Sequence, residues 1–234
     1  MSFINNAHPG SQIHLLCLIY RIIYKNPAKF TVEELQDYCA PRELFQKSDV
    51  EKRFRTELKF WSSPPHQLWA VDDKDKLILD TPERRSGYSY ADVAHQLRHR
   101  LMEIEFTNIL GSDDEFGASK AMRSFAYILT QDKFVLFGDD LTTDNIDRSI
   151  SENFGSYSLN NSEKSYFIQF CSFLGLSEKN GSNEYLDPTR LIRSFLKKAF
   201  QESNKLTLRV FTQRLSQLIP IIDNGKYNLE VRKV

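Results

Sequence analysis

The sequence predicts a mainly α-helical protein, with some α+β character from short hairpins, built as two winged-helix modules joined by a helical connector. Two capped helices precede a hairpin pattern near the amino terminus, amphipathic helices follow, and three more helices lie near the carboxyl end. Polar and turn-forming residues at 81–88 suggest the first boundary. We therefore expect a winged-helix domain at residues 1–86, a connector at 87–158 and a second winged-helix-like domain at 159–234.

The first module begins with three helical segments. Apolar residues three and four positions apart predict a nearly buried helix that starts around Ile13 and ends at Asn26-Pro27. Thr31 and Ser48 each stand three residues before a glutamate, the capping-box spacing at the start of a helix. After Ser48, one apolar stripe at helical spacing predicts the packed face of the third helix: Val50, Phe54, Leu58 and Trp61.

A hairpin follows the third helix. Pro64-Pro65 end that helix, and two short apolar runs at 68–71 and 77–79 flank the charged residues 72–76. This arrangement predicts a wing with a polar tip. We interpret Trp69, at the start of the wing, as a core residue rather than as a platform for a nucleobase.

The second module repeats this outline with weaker signals. A helix that ends before Gly175 is followed by a helix that opens at Asp187-Pro188, where aspartate is the cap and proline the first helical residue. A third helix covers about 208–218, and Asn224-Gly225 then suggests a turn. A terminal strand is predicted from the alternating residues Tyr227, Leu229 and Val231.

Composition limits the functional classes. Lys+Arg and Asp+Glu number 31 each, so the chain has no overall cationic field and any nucleic-acid binding depends on local patches. The three cysteines are far apart, which argues against a disulfide framework and favours a reducing cytoplasm. Because no apolar run approaches the length of a membrane span and no signal peptide is evident, we expect a cytoplasmic protein without membrane contact.

Local clusters of basic residues on the predicted helices are the candidate DNA-binding surface. If the third helix of the first module enters a groove as in helix-turn-helix proteins, its cations contact phosphates and bind duplex DNA without sequence preference. Winged helices also act as protein–protein modules, and exposed apolar helix faces would favour that alternative. The candidate DNA-binding residues are Lys52, Arg53, Arg55, Lys59, Arg190, Arg193, Lys197, Arg209 and Arg214.

No catalytic constellation is apparent, so we expect a protein that is not an enzyme and needs no cofactor. His95 and His99 are spaced i and i+4, but Gln96 stands where a zinc protease motif has its glutamate, and Arg98 repels a cation. We therefore predict no metal site. Phosphate-binding glycine motifs are absent from the sequence.

Short stretches spread over most of the chain resemble a known family. They are residues 1–5 (Met-Ser-Phe-Ile-Asn), Cys39-Ala40-Pro41, the hairpin at 68–80, Asp187-Pro188-Thr189-Arg190, Leu206-Thr207-Leu208-Arg209 and Ile219-Pro220-Ile221-Ile222-Asp223. In these the chain resembles DpdG-type accessory proteins, encoded in prokaryotic gene clusters that place 7-deazaguanine derivatives in DNA and restrict foreign DNA. The resemblance implies an accessory role in anti-phage defence, with other proteins of the same system as partners.

A second resemblance supports the alternative function. Tandem winged helices of about this length are similar to accessory subunits of bacterial chromosome-organising ATPases, which clasp a partner chain. That resemblance implies a protein–protein adaptor in a chromosome-organising or defence ATPase complex.

Overall fold

The computed structural model describes residues 12–39, 48–80, 87–111, 117–131, 161–181, 183–201 and 203–233, together with residues 150, 152, 154 and 159. By packing, the chain divides into two compact units, Met1–Ile104 and Glu105–Val234. The linker predicted at 81–86 lies outside the described residues. The division into 1–86, 87–158 and 159–234 stays a prediction about which segments fold independently.

The first unit contains four helices and a hairpin among its described residues. The elements are α1 (Ile13–Lys25), α2 (Val32–Cys39), α3 (Ser48–Phe60), β1 (Trp69–Val71), β2 (Leu77–Leu79) and α4 (Tyr90–Met102). β1 and β2 pair antiparallel, with Trp69 opposite Leu79 and Val71 opposite Leu77. The predicted order of three helices and a hairpin is therefore present.

Local hydrogen bonds explain where the helices of this unit begin and end. The Thr31 hydroxyl accepts from the Glu34 amide at 3.1 Å and the Glu34 carboxylate accepts from the Thr31 amide at 2.8 Å, which confirms the predicted capping box. The side chain of Ser48, the second predicted cap, lies outside the described residues. α1 ends at Lys25, and the Asn26 side chain donates to the Ile22 carbonyl at 3.0 Å.

The hairpin of the first unit is joined to the helices by backbone and side-chain bonds. The Ala28 amide donates to the Leu77 carbonyl at 3.1 Å, and the Leu77 amide donates to the Phe30 carbonyl at 2.8 Å, so residues 28–30 lie along β2. Trp69 is fully buried, and its indole donates to the Leu58 carbonyl on α3 at 2.9 Å. The interpretation of Trp69 as a core residue is confirmed.

The second unit contains five helices and a second hairpin among its described residues. The elements are α5 (Ser119–Ile128), α6 (Asn161–Leu174), β3 (Ser177–Asn180), β4 (Asn183–Leu186), α7 (Thr189–Phe200), α8 (Leu208–Leu218) and α9 (Lys226–Val231). Gly175, at φ 70°, ends α6 as predicted, and the Leu176 amide then donates to the Cys171 carbonyl at 2.8 Å.

The strand predicted over residues 227–231 is wrong, because this segment forms α9. Tyr227 and Val231, four residues apart, are buried, whereas Leu229 between them is 46% exposed. That burial follows a helical repeat, and the alternation of three apolar residues fits both periods in so short a segment. The Pro220 carbonyl accepts from the Tyr227 amide at 2.9 Å and from the Asn228 amide at 3.1 Å, which holds the first turn.

The β3–β4 hairpin was not predicted and changes the order of the second unit. It lies between α6 and α7, whereas the sequence pattern placed strand structure after α8. The predicted order of three helices and a terminal strand is therefore wrong for this unit. The broader prediction of a mainly helical protein with small antiparallel sheets is confirmed. Among the described helices, none combines the length and apolar character needed to cross a membrane.

Candidate nucleic-acid interface

Three predicted cations on α3 are free and exposed. Lys52, Arg53 and Lys59 point to solvent, and none has a hydrogen-bond or ion-pair partner among the described residues. The opposite side of α3 is packed, because Phe54 and Leu58 are almost completely buried. Exposed cations on a helix anchored by its apolar side can contact phosphates without any change in the backbone.

Arg55 differs from its neighbours on α3. Its guanidinium lies 3.2 Å from the Glu51 carboxylate one turn earlier and also donates to the Gln36 side chain on α2. Both partners of the ion pair are substantially exposed, so the pair itself contributes little stability. It does neutralise much of the charge that Arg55 could offer to DNA.

The tip of the β1–β2 hairpin is held by an aspartate and adds little positive charge. The Asp72 carboxylate accepts from the Lys76 amide at 2.8 Å and the Lys74 amide at 2.9 Å. These backbone bonds hold the pKa of Asp72 below its ordinary value. Lys76 in turn forms an ion pair of 2.6 Å with Glu34 on α2. The hairpin tip at residues 72–76 therefore carries three aspartates against two lysines.

The second unit exposes a smaller group of predicted cations. Arg193 and Lys197 lie one turn apart on the exposed side of α7, whose buried side carries Leu191 and Phe195. Arg209 is exposed near the start of α8. These three cations have no hydrogen-bond or ion-pair partner in the described part of the chain.

Arg190 and Arg214 instead hold the second unit together. Arg190 donates to the Ser172 carbonyl at 2.9 Å, to the Ser177 carbonyl at 2.8 Å and to the Glu178 carboxylate, so it ties α7 to the end of α6 and to β3. Arg214 on α8 donates to the Ala199 carbonyl at 3.0 Å, at the end of α7. Arg214 thereby satisfies a carbonyl that the end of α7 leaves unpaired, whereas the Ser172 carbonyl that Arg190 contacts also accepts from the Gly175 amide at 3.0 Å.

A cation–aromatic cluster in the first unit was not among the predicted residues. The Tyr88 ring lies just before α4, with the Lys25 ammonium 4.6 Å and the Arg21 guanidinium carbon 5.2 Å from its centroid. The Tyr24 ring is 5.4 Å away between centroids. We call Arg21, Tyr24, Lys25 and Tyr88 the Tyr88 cluster. The sequence could have predicted that Arg21 and Lys25 share one face of a helix, because they are four residues apart. It could not have predicted that both lie close to Tyr88.

The histidine pair occupies a buried position on α4. His95 and His99 are both buried, and their rings lie 4.5 Å apart between centroids. In the described part of the chain, no three His, Cys, Asp or Glu side chains come together in a way that could hold a metal ion.

Fold and exposed charge together define a mainly helical protein that carries exposed cations on helices of both compact units. A family model described as DpdG-like matches residues 1–234, so the chain belongs to the DpdG-like family along its whole length. Membership of this family indicates a role in a DNA-modification system. No curated protein matches the chain, and no solved structure matches it.

Proposed function

We propose that this protein is a non-enzymatic, cytoplasmic accessory factor of a prokaryotic DNA-modification and anti-phage defence system that binds duplex DNA through α3. The observation that carries the proposal is the group of exposed cations Lys52, Arg53 and Lys59 on that helix, whose side chains have no partner among the described residues. Membership of the DpdG-like family supplies the DNA-modification context. The partners are duplex DNA, bound without sequence preference, and other proteins of the same system.

The order of elements in the first unit agrees with that of a winged helix and so supports this mode of binding. Three helices precede an antiparallel hairpin, and residues 28–30, between α1 and α2, hydrogen bond along β2 as a short third strand does in winged helices. In such folds the third helix is the one that enters the major groove. α3 occupies that position and carries the free cations.

The exposed cations of the second unit extend the proposed surface. Arg193, Lys197 and Arg209 add positive charge on α7 and α8, and each can reach a phosphate without breaking an internal bond. The proposed surface does not include Arg190 and Arg214. Their guanidinium groups donate to backbone carbonyls within the second unit and would have to break those bonds to contact a phosphate.

A salt titration of duplex binding tests the proposal. Fluorescence anisotropy of a labelled duplex, measured at several salt concentrations, gives the slope of log K against log salt. We expect the Arg53→Ala/Lys59→Ala variant to bind more weakly and to lose about 0.9 from the magnitude of this slope for each phosphate contact removed.

A double variant at exposed cations elsewhere is the matched control. Lys179 and Lys226 are exposed and lie outside α3, α7 and α8, so Lys179→Ala/Lys226→Ala removes the same net charge from other surfaces. The control should keep the wild-type slope. Equal slopes for wild type and the α3 variant, with circular dichroism unchanged, would exclude DNA binding through α3.

A specific feature of α8 favours an adaptor function as the second candidate. Leu208 is 76% exposed and Val210 is 37% exposed on the first turn of this helix, an unusual position for two branched apolar residues. An adaptor that does not touch DNA predicts no measurable duplex binding by the wild type, the α3 variant or its control. The same titration therefore separates the two functions.

A further inference from the structure

The structure points to a second nucleic-acid contact, separate from the proposed duplex surface: we propose that the Tyr88 cluster binds unpaired nucleotides of single-stranded DNA. It does not depend on duplex binding by α3. Two cations and two tyrosine rings lie within a few ångströms of each other on α1 and before α4. Cations for the backbone beside aromatic rings for the bases are the two parts of a single-strand binding surface.

Among the described residues, no carboxylate neutralises the charge of the cluster. Arg21 and Lys25 are exposed, and neither forms an ion pair with a carboxylate of the described residues. The nearest acid of α4, Asp92, is engaged in the helix cap: it accepts from the Ser89 amide at 2.9 Å and the Ser89 hydroxyl at 2.6 Å. The cluster therefore presents two positive charges to a polyanion.

The aromatic part of the cluster is held in place but remains accessible. Tyr88 directly precedes the Ser89 cap of α4, so its backbone position follows from the capping box. Gly87 fits closely against this cap, because a Cβ there would lie 2.1 Å from the Asp92 carboxylate. The Tyr88 side chain is 37% exposed even so. An aromatic ring that is both fixed and exposed can stack on a base with little loss of conformational entropy.

The face of α1 that carries the cations is continuous and exposed in the described part of the chain. His14, Leu18, Arg21 and Lys25 follow each other at helical spacing on this exposed face. Its cations lie at the end near Tyr88. A flexible single strand can follow such a row of side chains and stack one base at its end, whereas a duplex keeps its bases inside the helix.

Binding of labelled single-stranded and duplex DNA by the full-length protein tests this inference. The probes are a fluorescein-labelled oligothymidine and a mixed-sequence duplex of equal length. We expect Tyr88→Ala to weaken oligothymidine binding about tenfold or more and Tyr88→Phe to bind as the wild type does, because stacking needs the ring and not the hydroxyl.

The charge of the cluster is tested separately. The Arg21→Gln/Lys25→Gln variant should lower the magnitude of the salt slope for oligothymidine by about 0.7 per phosphate contact removed. Its effect on the duplex should be smaller. This variant leaves Tyr88 in place, so it remains informative even where Tyr88→Ala disturbs the start of α4, which circular dichroism would reveal.

Two results would overturn the inference. One is oligothymidine binding that is absent in the wild type or unchanged in both the Tyr88→Ala and the Arg21→Gln/Lys25→Gln variants. The other is single-strand binding that is lost in Arg53→Ala/Lys59→Ala and retained in the Tyr88 cluster variants. The duplex titration with the α3 variant tests the proposed function on its own, so failure of one proposal is distinguishable from failure of the other.

Discussion

The predicted DNA-binding cations have different surroundings in the two units. On α3, the side chains of Lys52, Arg53 and Lys59 are exposed and have no partner within the described ranges. Arg190 on α7 and Arg214 on α8 instead donate to backbone carbonyls of neighbouring elements. A basic residue on a helix surface can therefore either face solvent or donate to carbonyls of a neighbouring element. Its position in the sequence does not show which of the two it does. A guanidinium suits the internal use because its donors can serve several carbonyls at once.

The largest expected effect contrasts two arginines of α7 that lie three residues apart. Arg190→Ala removes two bonds to carbonyls and an ion pair with Glu178, and we expect a loss of about 1–2 kcal/mol in the free energy of unfolding. Arg193→Ala removes an exposed side chain and should change that free energy by less than about 0.5 kcal/mol. Urea denaturation of both variants measures the difference, and equal stabilities would contradict the division into internal and free cations.

A smaller effect concerns the buried side of α3. Glu57 is fully buried, accepts from the Trp61 indole at 3.1 Å, and has a second oxygen without a hydrogen-bond partner among the described residues. Burial raises the pKa of Glu57 well above its ordinary value, because the low-dielectric interior favours the neutral carboxyl over the charged one. The stability that the neutral Glu57 carboxyl contributes is complete below the ordinary pKa of a glutamate. It is lost as the pH rises through the raised pKa of Glu57 in the folded protein.

Glu57→Gln should remove this pH dependence. The amide keeps an acceptor for the Trp61 indole and carries no charge at any pH, so the variant should gain stability over the wild type as the pH rises from acidic to neutral. Chemical denaturation at several pH values measures the gain. Parallel stability curves for variant and wild type would show that Glu57 does not titrate differently in the folded chain.

The smallest expected effect separates Arg55 from Arg53 on α3. Arg55→Ala removes an exposed ion pair with Glu51, worth less than about 0.5 kcal/mol, and also the hydrogen bond to the buried Gln36 side chain, so we expect a loss of about 1 kcal/mol in the free energy of unfolding. It should also reduce the salt slope of duplex binding less than Arg53→Ala does, since Arg53 has no such partner. A larger slope change from Arg55→Ala would mean that Arg55 leaves Glu51 to contact DNA.

Much of the first unit was predictable because its signals are local. The Thr31 capping box, the end of α1 before Pro27, and the two apolar runs that became β1 and β2 each depend on residues a few positions apart. The helical stripe also placed Phe54, Leu58 and Trp61 in the core. Caps, turns and periodicity depend on residues that are close together in the sequence, so they can be predicted from the sequence alone.

The sequence by itself determined the mainly helical class, the helix–hairpin order of the first unit and the family resemblance, because these rest on local patterns along the chain.

Only the tertiary structure decided three other features. Residues 226–231 became a helix because the Pro220 carbonyl accepts their first amides. Arg190 links α7 to α6 and β3, because its guanidinium donates to the carbonyls of Ser172 and Ser177. Arg21 and Lys25 met Tyr88, more than 60 residues away in the chain, because α1 packs near the start of α4. Each of these depends on a partner distant in sequence, and no local pattern specifies which distant group a side chain will meet.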